Sequence, residues 1–313
     1  MRVLLVRLDG VGDAAVCTPL VAALRAAGHE VGVALTTRNA GIFAPQAIVA
    51  EHVLERIPWP AHGSTPGSTA RARAEIAAQH YDAALIASEE PEAYALAQGV
   101  PVRVGFTTAW TRPLKNLWVR GQVTRTVARA QRTGADPHEV EVLYRLGAGL
   151  VAEPQPPRDS ARLRPQLLDA PLPARAGAHV VLQAGAKWAA LGVGEEDVRA
   201  VVAALGTRVR VVAAPHERAA ASAALGIDVE TFPDLRTWMA ALDASAAVIT
   251  TDTGAAHVAG MLGVPVVDVF ADARFEGQVR RWHPWASPYR TLRASALRGG
   301  AAPAVIEAAL NAI

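Results

Sequence analysis

Residues Thr250-Thr251-Asp252-Thr253-Gly254-Ala255-Ala256-His257 directly follow the apolar run Ala246-Ala247-Val248-Ile249. A buried strand ends there, and small and hydroxyl side chains make the turn. Ala255, Val258, Ala259 and Leu262 then fall at helical spacing, with Gly263 and Pro265 as the stop. The start of a helix presents unpaired backbone N–H groups and a positive dipole end, a ready seat for phosphate. The hydroxyls of Thr251 and Thr253 and the His257 imidazole can add donors around the same anion. An ordinary capped helix would use the same residues.

A second candidate is the loop Arg7-Leu8-Asp9-Gly10-Val11-Gly12-Asp13-Ala14-Ala15. Gly10 and Gly12, with Ala15, fit the relaxed dinucleotide fingerprint. An NAD site also wants an acidic residue about twenty positions later. Thr36-Thr37-Arg38 stand there instead, which suits NADP at best. Asp13 inside the turn would also repel a pyrophosphate. The alternative is a placed base: a glycine turn that projects the Asp13 carboxylate from a helix start. Such a position favours the ionised form, so proton transfer to it must run late, with bond formation. Helix capping is the plainer use of the same aspartate.

Lys187, in Gln183-Ala184-Gly185-Ala186-Lys187-Trp188, is one of two lysines in an arginine-rich chain, the other being Lys115. It follows a strand, and its ammonium would meet the same diphosphate as the Thr253-Gly254 turn if the two loops are neighbours. A surface lysine is the alternative. Glu217 also follows a strand; it could accept both hydroxyls of a ribose or cap the next helix. His283, between Trp282 and Pro284-Trp285, suits packing better than chemistry. No His-Glu-x-x-His, Asp-x-Asp or cysteine cluster suggests a metal. A leaving diphosphate would then depend on helix amides and Lys187. Neither a Gly-x-Ser-x-Gly element nor a P-loop is present.

Loops of this kind need strands and helices to hold them. Apolar runs at 3–8, 31–35, 83–86 and 102–105 predict strands, with helices over 14–27 and 137–150. Prolines at 154, 156, 157, 165, 171 and 173 mark a linker. Strands at 179–183, 209–213, 248–251 and 266–270 then alternate with helices at 195–205, 217–225, 235–242, 255–262 and 304–312. This α/β alternation forces parallel sheets covered on both faces, with ligands at the carboxyl ends of strands. The expected division is a domain at 1–155, a linker at 156–176, a second Rossmann-like domain at 177–302 and a terminal helix at 303–313.

The chain has 313 residues, a net charge of +2 and one cysteine, Cys17, so it forms no intrachain disulfide. It shows neither a signal peptide nor a membrane-spanning run, and a cytoplasmic location is the default expectation. Charge is unevenly placed. Arg103, Arg112, Lys115, Arg120, Arg125, Arg129 and Arg132 lie between Ala93 and Ala135 with no acidic residue among them, interleaved with Trp110 and Trp118. That segment suits an anionic partner, either a phosphorylated acceptor or a membrane surface, or is simply a solvated face. No nucleic-acid-binding motif accompanies it.

Taken together, several segments resemble the heptosyltransferase family of glycosyltransferases (glycosyltransferase family 9), which builds the inner core of bacterial lipopolysaccharide from ADP-heptose. They are Arg7 to Asp13 with Thr18-Pro19-Leu20, Arg103-Val104-Gly105-Phe106, His138-Glu139-Val140, Ala184 to Trp188, and Asp252 to Ala259 with Gly263-Val264-Pro265. The resemblance implies a GT-B fold, two Rossmann-like domains facing across a cleft, and metal-independent transfer with inversion and no cofactor. It makes Asp13 the base for the acceptor hydroxyl. Lys187 and the Thr253-Gly254 amides would hold the ADP diphosphate, Asp252 and His257 would line the donor site, and Glu217 would hold the ribose. A glycan or glycolipid acceptor would meet Arg103, Arg112, Lys115 and Arg120. Residues 304–312 would pack back on the first domain. Two departures stand out. The loop before Lys187 is shorter than in the family, and Asp272, expected close to the donor, replaces the usual glycine and threonine region. The rival readings are a nucleotide-sugar binder without turnover and an NADP-dependent oxidoreductase.

Overall fold

The computed structural model describes residues 1–56, 63–65, 67–108, 112–129, 137–174 and 178–313. Trp110 and Arg132 lie outside the described residues. The chain divides into two compact units, Met1–Arg158 with Pro165–Asp169, and Asp159–Arg164 with Ala170–Ile313.

In the first unit, β1 (Arg2–Val6), β2 (Glu30–Thr36), β3 (Ala50–Leu54), β4 (Ala83–Ile86), β5 (Val102–Thr107) and β6 (Arg125–Ala128) form one sheet. The order is β3-β2-β1-β4-β5-β6 and every pairing is parallel. The chain therefore reverses its direction of travel between β1 and β4, where open α/β sheets open a crevice. Central strands are buried, β4 throughout and β1 from Val3 onward, and these stretches are unbroken apolar sequence. The predicted helix at 14–27 is two pieces, Val11–Ala15 and Thr18–Ala26. Pro19, which has no N–H to donate, opens the second piece, and Gly28 ends it with φ +80°. Gly32 is required for a different reason, since a Cβ there would lie 1.9 Å from the Tyr81 hydroxyl.

In the second unit, β7 (Val180–Gln183), β8 (Val209–Val212), β9 (Ala247–Thr251), β10 (Val266–Phe270) and β11 (Tyr289–Arg293) are parallel in the order β11-β10-β9-β7-β8. Here the reversal falls between β7 and β9. One face of the sheet, with Leu182, Ile249, Val267 and Val269, packs on Val198 and Val201 of helix Glu195–Leu205. The terminal helix Ala302–Leu310 buries Ala302, Ile306 and Ala309 in this same core. Its buried face thus belongs to the core of the second unit.

The proline-rich passage is not a free tether. Arg164 reaches both carboxylate oxygens of Asp243, Nη2 to Oδ2 at 2.6 Å and Nε to Oδ1 at 3.1 Å, with both residues buried. Gln166 belongs to the first unit, where its carbonyl accepts the Ala44 N–H at 2.8 Å and its side chain accepts Arg25 at 2.7 Å. Among the described residues no helix is long and apolar enough to cross a membrane.

Candidate functional site

Each unit gathers its chemistry-bearing residues at the reversal point of its own sheet. In the second unit, β7 runs into the turn before helix Lys187–Ala190, and β9 into the turn before helix Gly254–Leu262. The two turns meet. Lys187 Nζ donates to the Asp252 carbonyl and lies 3.4 Å from its Oδ2. On the other side of that carboxylate, His257 Nε2 stands 3.6 Å from Oδ1, its ring tilted against Trp282 at 5.5 Å. Burial works against ionisation of Asp252, but the His257 hydrogen bond and the Lys187 charge outweigh it and hold the carboxyl below its usual range.

Thr253 occupies the N-cap of helix Gly254–Leu262 in extended conformation, with no side-chain capping bond. Its hydroxyl is instead 2.9 Å from that of Thr250, a residue the motif reading passed over. The first amides of the helix are therefore not taken by the side chain that usually takes them. Thr251 is 2% exposed at the end of β9, so it backs the turn and does not face solvent.

Glu217 does something the sequence did not indicate. It stands at the N-cap of helix Arg218–Leu225 without capping it, and its Oε1 accepts the Ala186 N–H at 2.9 Å. A Cβ at Gly185 would lie 2.9 Å from Glu217 Oε2, so the glycine is what lets this carboxylate seat the Lys187 turn. Beside the pair opens a pocket of about 160 Å³ walled by Trp188, Val193, Val198, Ala221 and Leu225. Trp238 donates to the Gln183 side chain at 3.1 Å and steadies the end of β7. His283 stacks on Tyr289 at 5.0 Å and contacts the Val279 carbonyl at 3.0 Å, the packing role expected of it.

Two acidic residues near this turn behave unlike their neighbours. Asp272 is bonded to Ser295 through its hydroxyl at 2.5 Å and lies 3.6 Å from Arg298. Its carboxylate thus braces the turn Ala294–Leu297. Asp268 is 0% exposed in the middle of β10, and among the described residues its carboxyl group meets nothing polar beyond the Val269 N–H beside it. Burial first, and the nearby Asp252 charge second, push its carboxyl well above the ordinary value of 3.8, with Lys187 and the Val269 N–H opposing.

In the first unit the reversal point holds Asp13. Arg7, 4% exposed, leaves β1 and donates to Asp13 Oδ1 at 2.6 Å and to the Ala87 carbonyl after β4. Asp13 Oδ2 accepts the Gly10 N–H at 3.3 Å. Asp9 lies 3.2 Å from Arg7 Nε and accepts the Ser88 hydroxyl at 2.5 Å, while Ser88 Oγ accepts the Leu8 N–H at 2.7 Å. The loops after β1 and β4 are stapled together by these bonds, and the Asp13 side chain keeps 35% of its surface in solvent. A fixed carboxylate with an open edge can accept a proton. Neither Gly10 nor Gly12 takes a positive φ, and Gly12 lies inside helix Val11–Ala15.

The basic segment is distributed among several tasks. Arg103 holds the carbonyls of Val100 at 2.7 Å and Gln122 at 2.9 Å. Lys115 pairs with Glu89, which also takes Arg129 at 2.8 Å, and Arg129 reaches the fully buried Glu139 at 2.5 Å. His138 Nδ1 accepts the Val140 N–H at 3.1 Å and so caps the helix that carries Glu139. Arg112 and Arg120 are exposed.

No protein-family model matches the chain, and no curated protein matches it in sequence. Solved structures do match. The E. coli heptosyltransferase WaaC with ADP-2-deoxy-2-fluoro heptose is 21% identical, with all of both chains covered and a TM-score of 0.73. E. coli ADP-heptose lipopolysaccharide heptosyltransferase II is 16% identical over 100% of this chain and 99% of that one, at 0.64. A family 9 glycosyltransferase of Veillonella parvula is 15% identical over 93% and 85%, at 0.66. The chain thus has the GT-B fold of these proteins, as its sequence led us to expect.

Proposed function

We propose that this protein is an inverting, metal-independent glycosyltransferase that moves a sugar, heptose from ADP-heptose, to a hydroxyl of a glycan or glycolipid. The observation that carries the reading is the meeting of Lys187 with the Asp252-Thr253-Gly254 turn at the reversal point of the second sheet, in a chain with a heptosyltransferase fold. The donor diphosphate takes the uncapped amides of helix Gly254–Leu262, and Lys187 turns from Asp252 to the phosphate oxygens. Asp252, kept ionised, orients His257 beside them. Glu217, whose Oε1 accepts the Ala186 N–H, would take the ribose hydroxyls.

In the transfer step Asp13 accepts the proton of the acceptor hydroxyl as its oxygen bonds to the anomeric carbon. The bond from that carbon to the diphosphate breaks on the opposite face, and ADP departs with the electron pair. The charge that develops on it is met by Lys187 and the amides, donors already in place before the reaction. No step calls for a metal.

Calorimetric titration separates the readings. ADP should bind wild type, and Lys187→Ala should weaken it by roughly ten-fold or more, the worth of a charge-assisted hydrogen bond. Binding of NADPH without ADP would favour the oxidoreductase. ADP binding with donor turnover equally absent from wild type and Asp13→Ala would leave a binding protein.

A further inference from the structure

We infer that Asp9 is a specificity-determining residue of the first unit: it binds a hydrogen-bond donor, an ammonium or a hydroxyl, on the acceptor carbon next to the reacting hydroxyl. The role rests on the transferase reading, in which Asp13 is the base. Two carboxylates are mounted on one guanidinium. Arg7 is 4% exposed; its Nη2 donates to Asp13 Oδ1 at 2.6 Å, and its Nε lies 3.2 Å from Asp9 Oδ2. Those two nitrogens share one edge of the guanidinium fork, which ordinarily grips a single carboxylate with both. Here each takes a different one, so Asp9 and Asp13 stand side by side. Their side chains are 33% and 35% exposed.

Asp9 is not used up by a structural task. Gly10 is the N-cap of helix Val11–Ala15, and Asp13 closes the capping box there. The contacts of Asp9 fall on Oδ2, from Arg7 and, at 2.5 Å, from the Ser88 hydroxyl. Among the described residues its Oδ1 has no partner. Ser88 is 1% exposed and accepts the Leu8 N–H at 2.7 Å, so the carboxylate is held still. Charge then selects the ligand. The acids that follow Ser88 have other cations: Glu89 takes Lys115 and Arg129, and Glu90 and Glu92 share Arg56. Asp9 and Asp13 have only Arg7 between them, which leaves one negative charge over. Two acceptor groups side by side, short of one cation, suit two donors on neighbouring carbons: a 1,2-amino alcohol or a 1,2-diol. Asp13 takes the proton of the reacting hydroxyl, and Asp9 holds the neighbouring group. A phosphate or carboxylate in that neighbouring place would be repelled, and a divalent cation would sit beside the Arg7 guanidinium.

Ligand-observed NMR titration with three methyl glucosides tests this. They differ only at carbon 2, which carries a protonated amine, a hydroxyl or hydrogen. Wild type should bind the first two, and bind the 2-deoxy sugar at least about three-fold more weakly. Asp9→Asn keeps the shape and removes the charge. It should weaken the amino sugar about ten-fold, the hydroxyl sugar by about three-fold or less, and the 2-deoxy sugar not at all. Ser88→Ala leaves Asp9 charged but less firmly held, and should weaken the first two sugars while sparing the third. A residue that only supported the fold would shift all three together. That result, a wild type blind to the group at carbon 2, or a wild type that binds none of the sugars would overturn the inference. The tighter of the first two sugars tells an amino alcohol from a diol. ADP calorimetry on the same proteins keeps the readings apart: absent ADP binding would end the transferase reading, while the sugar ranking still decides the role of Asp9.

Discussion

Replacing Asp268 by asparagine should remove a pH dependence from the stability of the second unit. Asp268 lies between Thr250 of β9 and Thr291 of β11, 0% exposed and, among the described residues, with only the Val269 N–H beside its carboxyl group. In the unfolded chain such a group loses its proton near 3.8, whereas in the folded chain burial keeps the proton on well above that value. Between the two titrations the folded state binds one proton more than the unfolded state. Stability therefore falls as pH rises, by about 1.4 kcal/mol per pH unit, until the folded group itself ionises. From about pH 4 to pH 7 the loss reaches at most about 4 kcal/mol. The sign is opposite to that of Asp252, whose contribution is present above the ordinary carboxyl range and lost in acid. Asparagine keeps the shape and has no proton to lose. Urea unfolding of both proteins at a series of pH values, followed by circular dichroism and tryptophan fluorescence, gives the difference. The other titrating groups are common to the two and largely cancel. The variant should gain on wild type steadily as pH rises. Curves that stay parallel between about pH 5 and pH 7 would show an ionised or partnered Asp268 and refute the reasoning.

Asp13→Asn should lower transfer by about 10²- to 10⁴-fold, the range for a lost general base, while ADP affinity measured by calorimetry stays within about two-fold. Asp243→Ala strands Arg164 in a buried position and should cost about 3–5 kcal/mol in urea unfolding; a loss near zero would mean the pair is water-filled. Burial is the main cause that pushes the Cys17 thiol up to about 12, so a thiol reagent such as dithionitrobenzoate should react only after unfolding.

The central strands were legible because both of their faces are buried, so their sequences are unbroken apolar runs. β3, β6 and β11 were not anticipated. All three are edge strands, and polar residues such as Glu51, Arg125 and Arg290 break their pattern. Both candidate turns could be located, since glycine and hydroxyl residues straight after an apolar run mark the end of a strand and the start of a helix. What holds them was harder to see. Arg7 reaches Asp13 across a loop of irregular shape, and Glu217 reaches Ala186 from 31 residues away. The basic segment misled in one respect: it contains no acids, yet Glu89 and Glu139 come to it from outside through the fold. Asp268 did leave a trace, as the one acid within Val266-Val267-Asp268-Val269-Phe270.

The contact between Lys187 and Asp252 also bears on selectivity. Before any ligand arrives, the ammonium is already neutralised by a carboxylate of its own unit, so the turn presents little net charge to passing anions. Orthophosphate could occupy the helix amides but offers few oxygens with which to draw the lysine away. A diphosphate reaches both at once. On this view the pair acts as a filter against the abundant simple phosphates of a cell, and mutating Asp252 to asparagine should raise affinity for orthophosphate relative to ADP.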